Sequence, residues 1–136
     1  MRLNGVIQRK LALLDGHVTQ LEAFLKGVTR EAFIGNALLR AATERMMQVS
    51  VEIVIDIADR IIAIQGAGPV ESAATAIDRL VALRVIQRAE PYRSMVGFRN
   101  RLVHEYEIID PDILFTAATK HLGDFRLFRD EIDRLC

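Results

Sequence analysis

Apolar residues recur at three- and four-residue steps along nearly the whole chain, and strand-like alternation is nowhere sustained. The pattern predicts five helices. The first runs from about Leu3 to Lys26, with Val6, Ile7, Leu11, Leu14, Val18, Leu21 and Leu25 on one face and Gly27 closing it. Thr29 is placed to cap the next helix, since its hydroxyl can accept from an orphan amide. That second helix is predicted as one long element from about Arg30 to Gln65. Phe33, Ala37, Leu38, Ala41, Met46, Val49, Ile53, Val54, Ile57, Ile61 and Ile64 keep its period, and Asp56 and Arg60 can pair four residues apart. A helix of that length outruns a small core unless a neighbour or a second subunit covers it. Gly66-Ala67-Gly68-Pro69 stops it. A third helix is expected from about Val70 to Ile86, with Ile77, Leu80, Val81 and Val85 inward. A fourth starts near Pro91, carries Tyr92, Met95, Phe98 and Leu102 on its core face, and ends around His104. A fifth opens with Asp110 as cap and Pro111 in its first turn and runs to the C-terminus.

These elements imply an all-α protein, a five-helix antiparallel bundle spanning residues 1–136 as a single domain, without repeats, low-complexity tracts or linkers. Half the chain, 51%, is apolar, enough for a core that needs no covalent staples. The formal net charge is zero, so the molecule as a whole exerts no attraction on nucleic acid, and any RNA site must be a local patch. Lys10, Lys26 and Lys120 are the only lysines; the other basic side chains are arginines, whose planar forks match phosphates and carboxylates, although compositional bias produces the same excess. Cys136 is the sole cysteine, which rules out an internal disulfide and a paired-cysteine metal site. No signal peptide opens the chain. The longest apolar stretch, Ile53 to Ile64, is interrupted by Asp56, Asp59 and Arg60 and does not read as a membrane span. A reducing cytoplasm fits.

One stretch carries chemistry: Gly97-Phe98-Arg99-Asn100-Arg101-Leu102-Val103-His104-Glu105-Tyr106. On a helix Asn100 and His104 point together, with Arg99 about 100° from Asn100. A guanidinium, an amide and an imidazole would meet near one helix C-terminus. That set can cleave RNA without a metal. Imidazole takes the proton of a 2′-hydroxyl near neutral pH. Arginine stabilises the charge that gathers on the phosphorus oxygens. One histidine does not easily serve as both base and leaving-group acid, and a two-fold dimer would bring a second Arg99 and His104 to the same seam. The bland alternative is that histidine and arginine near a helix C-terminus merely answer its dipole.

Arg99-x4-His104-x-Tyr106 resembles the motif of the HepT toxins, a branch of the HEPN ribonucleases. Glu44-Arg45, the run Glu52 to Asp56, and Met95 to Asn100 are similar to that family too, and the likeness covers essentially the whole chain. The resemblance implies a HEPN-type homodimer in which the Arg-x4-His segments of both protomers build one composite cleft. It implies the toxin of a type VII toxin–antitoxin pair, cutting RNA with no metal or other cofactor. The cognate antitoxin would be a minimal nucleotidyltransferase that transfers AMP to the motif tyrosine, here Tyr106. On this view Arg99 and His104 are catalytic and Asn100 supports them. The alternative is a non-catalytic helical subunit that binds a nucleotide or its nucleotidyltransferase partner through the same residues.

Other features carry two readings each. Arg93 and Arg101 could line an RNA path or be solvated charges. Tyr92 could stack a base or pack at a helix start. Glu105 could aid the imidazole or face solvent. Met46-Met47 reads as core or dimer seam. His17 and His121 read as surface or packing residues.

Overall fold

A computed structural model of the chain describes residues 5–104 and 109–135. All regular structure among the described residues is helical, in seven elements: α1 (Gly5–Leu25), α2 (Arg30–Ile34), α3 (Ala37–Ile64), α4 (Ala73–Ala82), α5 (Tyr92–Leu102), α6 (Pro111–Lys120) and α7 (Leu122–Asp133). The five-helix expectation is corrected at two places.

The long second helix divides at Gly35-Asn36. Gly35 ends α2, and the Asn36 side chain accepts from the Leu39 amide at 3.0 Å, capping a new helix. The break lets α2 turn onto α6. There Phe33, wholly buried, meets Phe115 at a ring separation of 5.0 Å. Arg30 binds Asp112 at 2.6 Å while its guanidinium lies 5.1 Å from the Phe115 ring centre. It also resets the helical phase, which is why Leu38, read as inward, is 82% exposed. The last helix divides at His121, whose φ of −113° departs from helical values. This bend allows α6 to serve α2 and α3 while α7 lies along α1.

The remaining expectations hold in outline. Thr29 accepts from the Ala32 amide at 3.1 Å, and Asp110 accepts from the Asp112 amide at 2.8 Å. The third predicted helix is shorter than its apolar pattern, starting at a Ser72 cap and stopping at Ala82. Val85 and Ile86 are nevertheless buried, in the turn that follows.

α3 is the central element, packing against α1, α4, α5 and α6. Its inward residues Val54, Ile57, Ala58 and Ile61 are sealed from solvent, as are Ile7 and Leu21 of α1, Ile77 and Leu80 of α4, and Phe128 and Ile132 of α7. Ion pairs fasten α1 from outside: Lys10 to Asp56 of α3, and Asp15 and Glu22 to Arg129 and Arg126 of α7, each at 2.5 Å. Exposed pairs of this kind contribute about 0–1 kcal/mol apiece, so apolar burial dominates. No helix among the described residues is long and apolar enough to cross a membrane.

The cap at the α2–α3 break sets a first expectation. Asn36→Ala leaves the Leu39 amide without its acceptor and should cost about 1 kcal/mol, while Asn36→Asp should be close to neutral. Urea unfolding midpoints of the two variants check this.

Candidate active site

The residues that carry the candidate chemistry sit on α5 and just beyond it. α5 begins at Tyr92, and its start is held by Glu90, whose carboxylate accepts from the amide and the hydroxyl of Ser94 at 3.2 and 2.6 Å. Tyr92, Met95 and Val96 are buried against the core, and Phe98 and Leu102 pack half-buried beside them. The helix ends at Leu102. Val103, the C-cap, donates its amide to the Arg99 carbonyl at 3.2 Å.

Arg99 lies seven residues after Tyr92, which returns it to within about 20° of the same line along α5. It therefore leans toward the core: the residue is half-buried, and its Nε is buried and finds no hydrogen-bond partner among the described residues. Guanidinium donors in protein interiors are almost always satisfied, and leaving one unmet costs about 1–3 kcal/mol. Asn100 points about 100° away and is exposed. His104 falls past the C-cap, outside the helix, and is exposed. The pairing of Asn100 and His104 on one helical face is thus corrected: the helix stops short of the histidine, and the segment beyond the cap decides where the imidazole points. Arg99, Arg101 and His104 all cluster at the end of α5, where the helix dipole favours positive charge.

Of the flanking arginines, Arg93 is engaged. Its Nε and Nη2 each reach a carboxylate oxygen of Asp78 on α4 at 3.0 Å. Arg101 is exposed and forms no ion pair among the described residues. Tyr106 and Glu105 lie outside the described residues. Tyr92 is a packing residue, 1% exposed, and Met47 is likewise buried. Among the described residues no three histidines, cysteines or carboxylates gather as a metal site would require.

Two features went unforeseen. An apolar groove of about 400 Å³ runs beside α5, lined by Met47 and Val51 of α3, Met95 and Phe98 of α5, Ile113 of α6 and Phe125 of α7. Met95 and Phe98 were read as core and Met47 as core or dimer seam, and the groove between them also reaches His121 at the α6–α7 bend. The other is Glu131, a buried carboxylate bonded to Tyr92. It sits in the charged run Arg129-Asp130-Glu131, which reads as a solvated face. The available signal was its place three residues after Phe128, on the edge of the inward arc of α7.

The Ribonuclease HepT-like family model matches residues 14–132, and the chain belongs to that family. It is 33% identical to the mRNA nuclease HepT of Shewanella oneidensis over 96% of this chain and 98% of the relative. It is 27% identical to the tRNA nuclease HepT of Aphanizomenon flos-aquae over 94% of this chain and 88% of the relative. Among solved structures, the tri-AMPylated Shewanella oneidensis HEPN toxin in complex with its MNT antitoxin superposes with a TM-score of 0.88. That match has 26% identity and covers 97% of this chain and 99% of the other.

Proposed function

We propose that this protein is a metal-independent endoribonuclease, the toxin of a toxin–antitoxin pair, in which residues 1–136 form one HEPN domain acting as a homodimer in the cytoplasm. The observation that carries the reading is Arg99: its Nε is buried at the end of α5 with no hydrogen-bond partner among the described residues, five residues before an exposed histidine. An RNA phosphate offers the oxygen acceptors that a guanidinium fork matches.

In this mechanism the His104 imidazole removes the proton of a ribose 2′-hydroxyl, and the 2′-oxygen attacks the adjacent phosphorus. The bond to the 5′-oxygen breaks, and the partner's His104, protonated, gives that oxygen its proton. The products are a 2′,3′-cyclic phosphate and a free 5′-hydroxyl. Arg99 stabilises the charge gathered on the non-bridging oxygens, and Asn100 orients the phosphate or the imidazole. Arg101 lines the approach of the RNA, and Arg93, held by Asp78, plays a smaller part there. The apolar groove along α5 supports the dimer, because it gives a second copy a surface to bury next to the motif. Neutralisation is AMP transfer to Tyr106 by a cognate nucleotidyltransferase. The added phosphate brings negative charge and bulk to a site built for RNA phosphate. The relative solved as a tri-AMPylated toxin with its antitoxin supports this part.

Expression in a bacterium tests the reading. The wild type should arrest growth, and His104→Ala should not. Intact mass after co-expression with the nucleotidyltransferase should show added AMP units that are absent in Tyr106→Phe. Equal growth of wild type and His104→Ala would contradict the toxin assignment and favour a binding subunit; an unmodified wild type would remove Tyr106 from it.

A further inference from the structure

A buried carboxylate outside the motif is that of Glu131. It is 7% exposed, on α7 beside the α4–α5 connection and the first residue of α5. Among the described residues its carboxylate forms no ion pair, although Arg84 and Arg134 line the same cavity. One oxygen accepts from the Tyr92 hydroxyl in a short hydrogen bond, and the other accepts from the Gln87 amide at 3.1 Å. Both direct donors are neutral. Burying a carboxylate is costly, and an apolar side chain of similar size would commonly serve the core as well or better. A purpose other than stability is indicated.

Its two partners supply that purpose. Gln87 belongs to the connection between α4 and α5, which leaves α4 through Arg84 at φ 61°, a left-handed conformation that disfavours a residue with a side chain. Tyr92 is the first residue of α5, and its ring meets Phe128 edge-on at 5.4 Å. Glu131 therefore ties the strained connection and the head of α5 to one fixed point on α7. Burial, reinforced by the hydrogen bond to Glu131, holds the Tyr92 phenol above its ordinary range, so it remains a donor throughout the neutral range.

Tyr92 and Arg99 share one line of α5, about 10 Å apart along its axis. A rotation of the helix about that axis carries both side chains together. We infer that Tyr92 and Glu131 are positioning residues, which fix the azimuth of α5 and with it the direction in which Arg99 presents its guanidinium. The inference rests on the ribonuclease reading for its catalytic consequence but not for its geometric one.

The test uses the full-length protein in four variants: Tyr92→Phe, Glu131→Leu, Glu131→Gln, and Val18→Ala as a core control on α1. Val18 is 1% exposed, and its helix packs on α3, α6 and α7. Two readouts are taken well below each variant's Tm. The first is the position of the Arg99 Nε–Hε cross-peak in ¹H–¹⁵N NMR. The second is kcat and KM for RNA. Tyr92→Phe and Glu131→Leu should move the Arg99 peak and lower kcat about tenfold or more with KM within about twofold, because the misplacement is felt mainly in the transition state. Glu131→Gln, whose amide can accept from Gln87 and donate to the tyrosine oxygen, should recover most of both signals. Val18→Ala should lower Tm without moving the peak or kcat. An Arg99 peak that stays in place in Tyr92→Phe, or a kcat loss equal to that of Val18→Ala, would overturn the inference. A shifted peak in a protein whose wild type does not cut RNA would keep the positioning role and remove the ribonuclease reading instead.

Discussion

Arg99→Ala should reduce RNA cleavage by about 10²–10³-fold, with the fold intact, and Arg99→Lys should restore only a small part of that loss. The size follows from where the charge is held. Arg99 is half-buried on α5 with its Nε out of water, which restricts the guanidinium before substrate arrives. A lysine offers one mobile point charge and cannot reproduce the fork. Single-turnover cleavage of a defined RNA measures the effect. A loss confined to KM would mean that Arg99 only holds the phosphate. A variant as fast as wild type would take Arg99 out of the chemistry. Removing Arg99 also deletes a buried donor that has no partner among the described residues, so Arg99→Ala should lower the unfolding midpoint little. A large loss of activity with little loss of stability would mark a residue kept for function rather than for the fold.

Phe128→Ala should be the most destabilising single truncation near the motif helix, at about 3–5 kcal/mol. Phe128 has no exposed surface and meets Tyr92 edge-on, and the space it leaves borders helices that ion pairs and core contacts hold in place. For a domain of this size the loss should appear as a Tm lower by roughly 10–20 °C. Phe128→Leu should retain more than half of the difference, since most of the volume stays. Differential scanning calorimetry on the pair checks both values. Near-equal midpoints for Ala and Leu would show that the site collapses around the smaller side chain.

The periodicity of apolar residues was enough to read α1, the core of α3 and most of α5, because each of those stretches keeps one axis. It failed where the axis changes. Phe33, Ala37 and Leu38 continue a helical spacing across Gly35-Asn36, so only the capping chemistry of Asn36 reveals the break. His121 gives no comparable signal: it lacks a side-chain cap hydrogen bond, and the bend follows from α6 and α7 having different neighbours. The motif residues were legible because they are close in sequence. Their directions were not. Arg99 falls on the Tyr92 face by helical arithmetic, yet its burial depends on what α5 packs against. His104 belongs to a helix face only if the helix reaches it, and the Val103 cap ends α5 first. Glu131 was hidden for the opposite reason, since its partners Gln87 and Tyr92 are 44 and 39 residues distant.

The most direct measurement is RNA cleavage by the purified protein in EDTA, with intact mass showing Tyr106 free of AMP, alongside His104→Ala. The account predicts cleavage by the wild type that leaves cyclic phosphate ends, and a rate about 10²–10⁴-fold lower for the variant. No cleavage by the unmodified wild type, or cleavage that survives in His104→Ala, would contradict it.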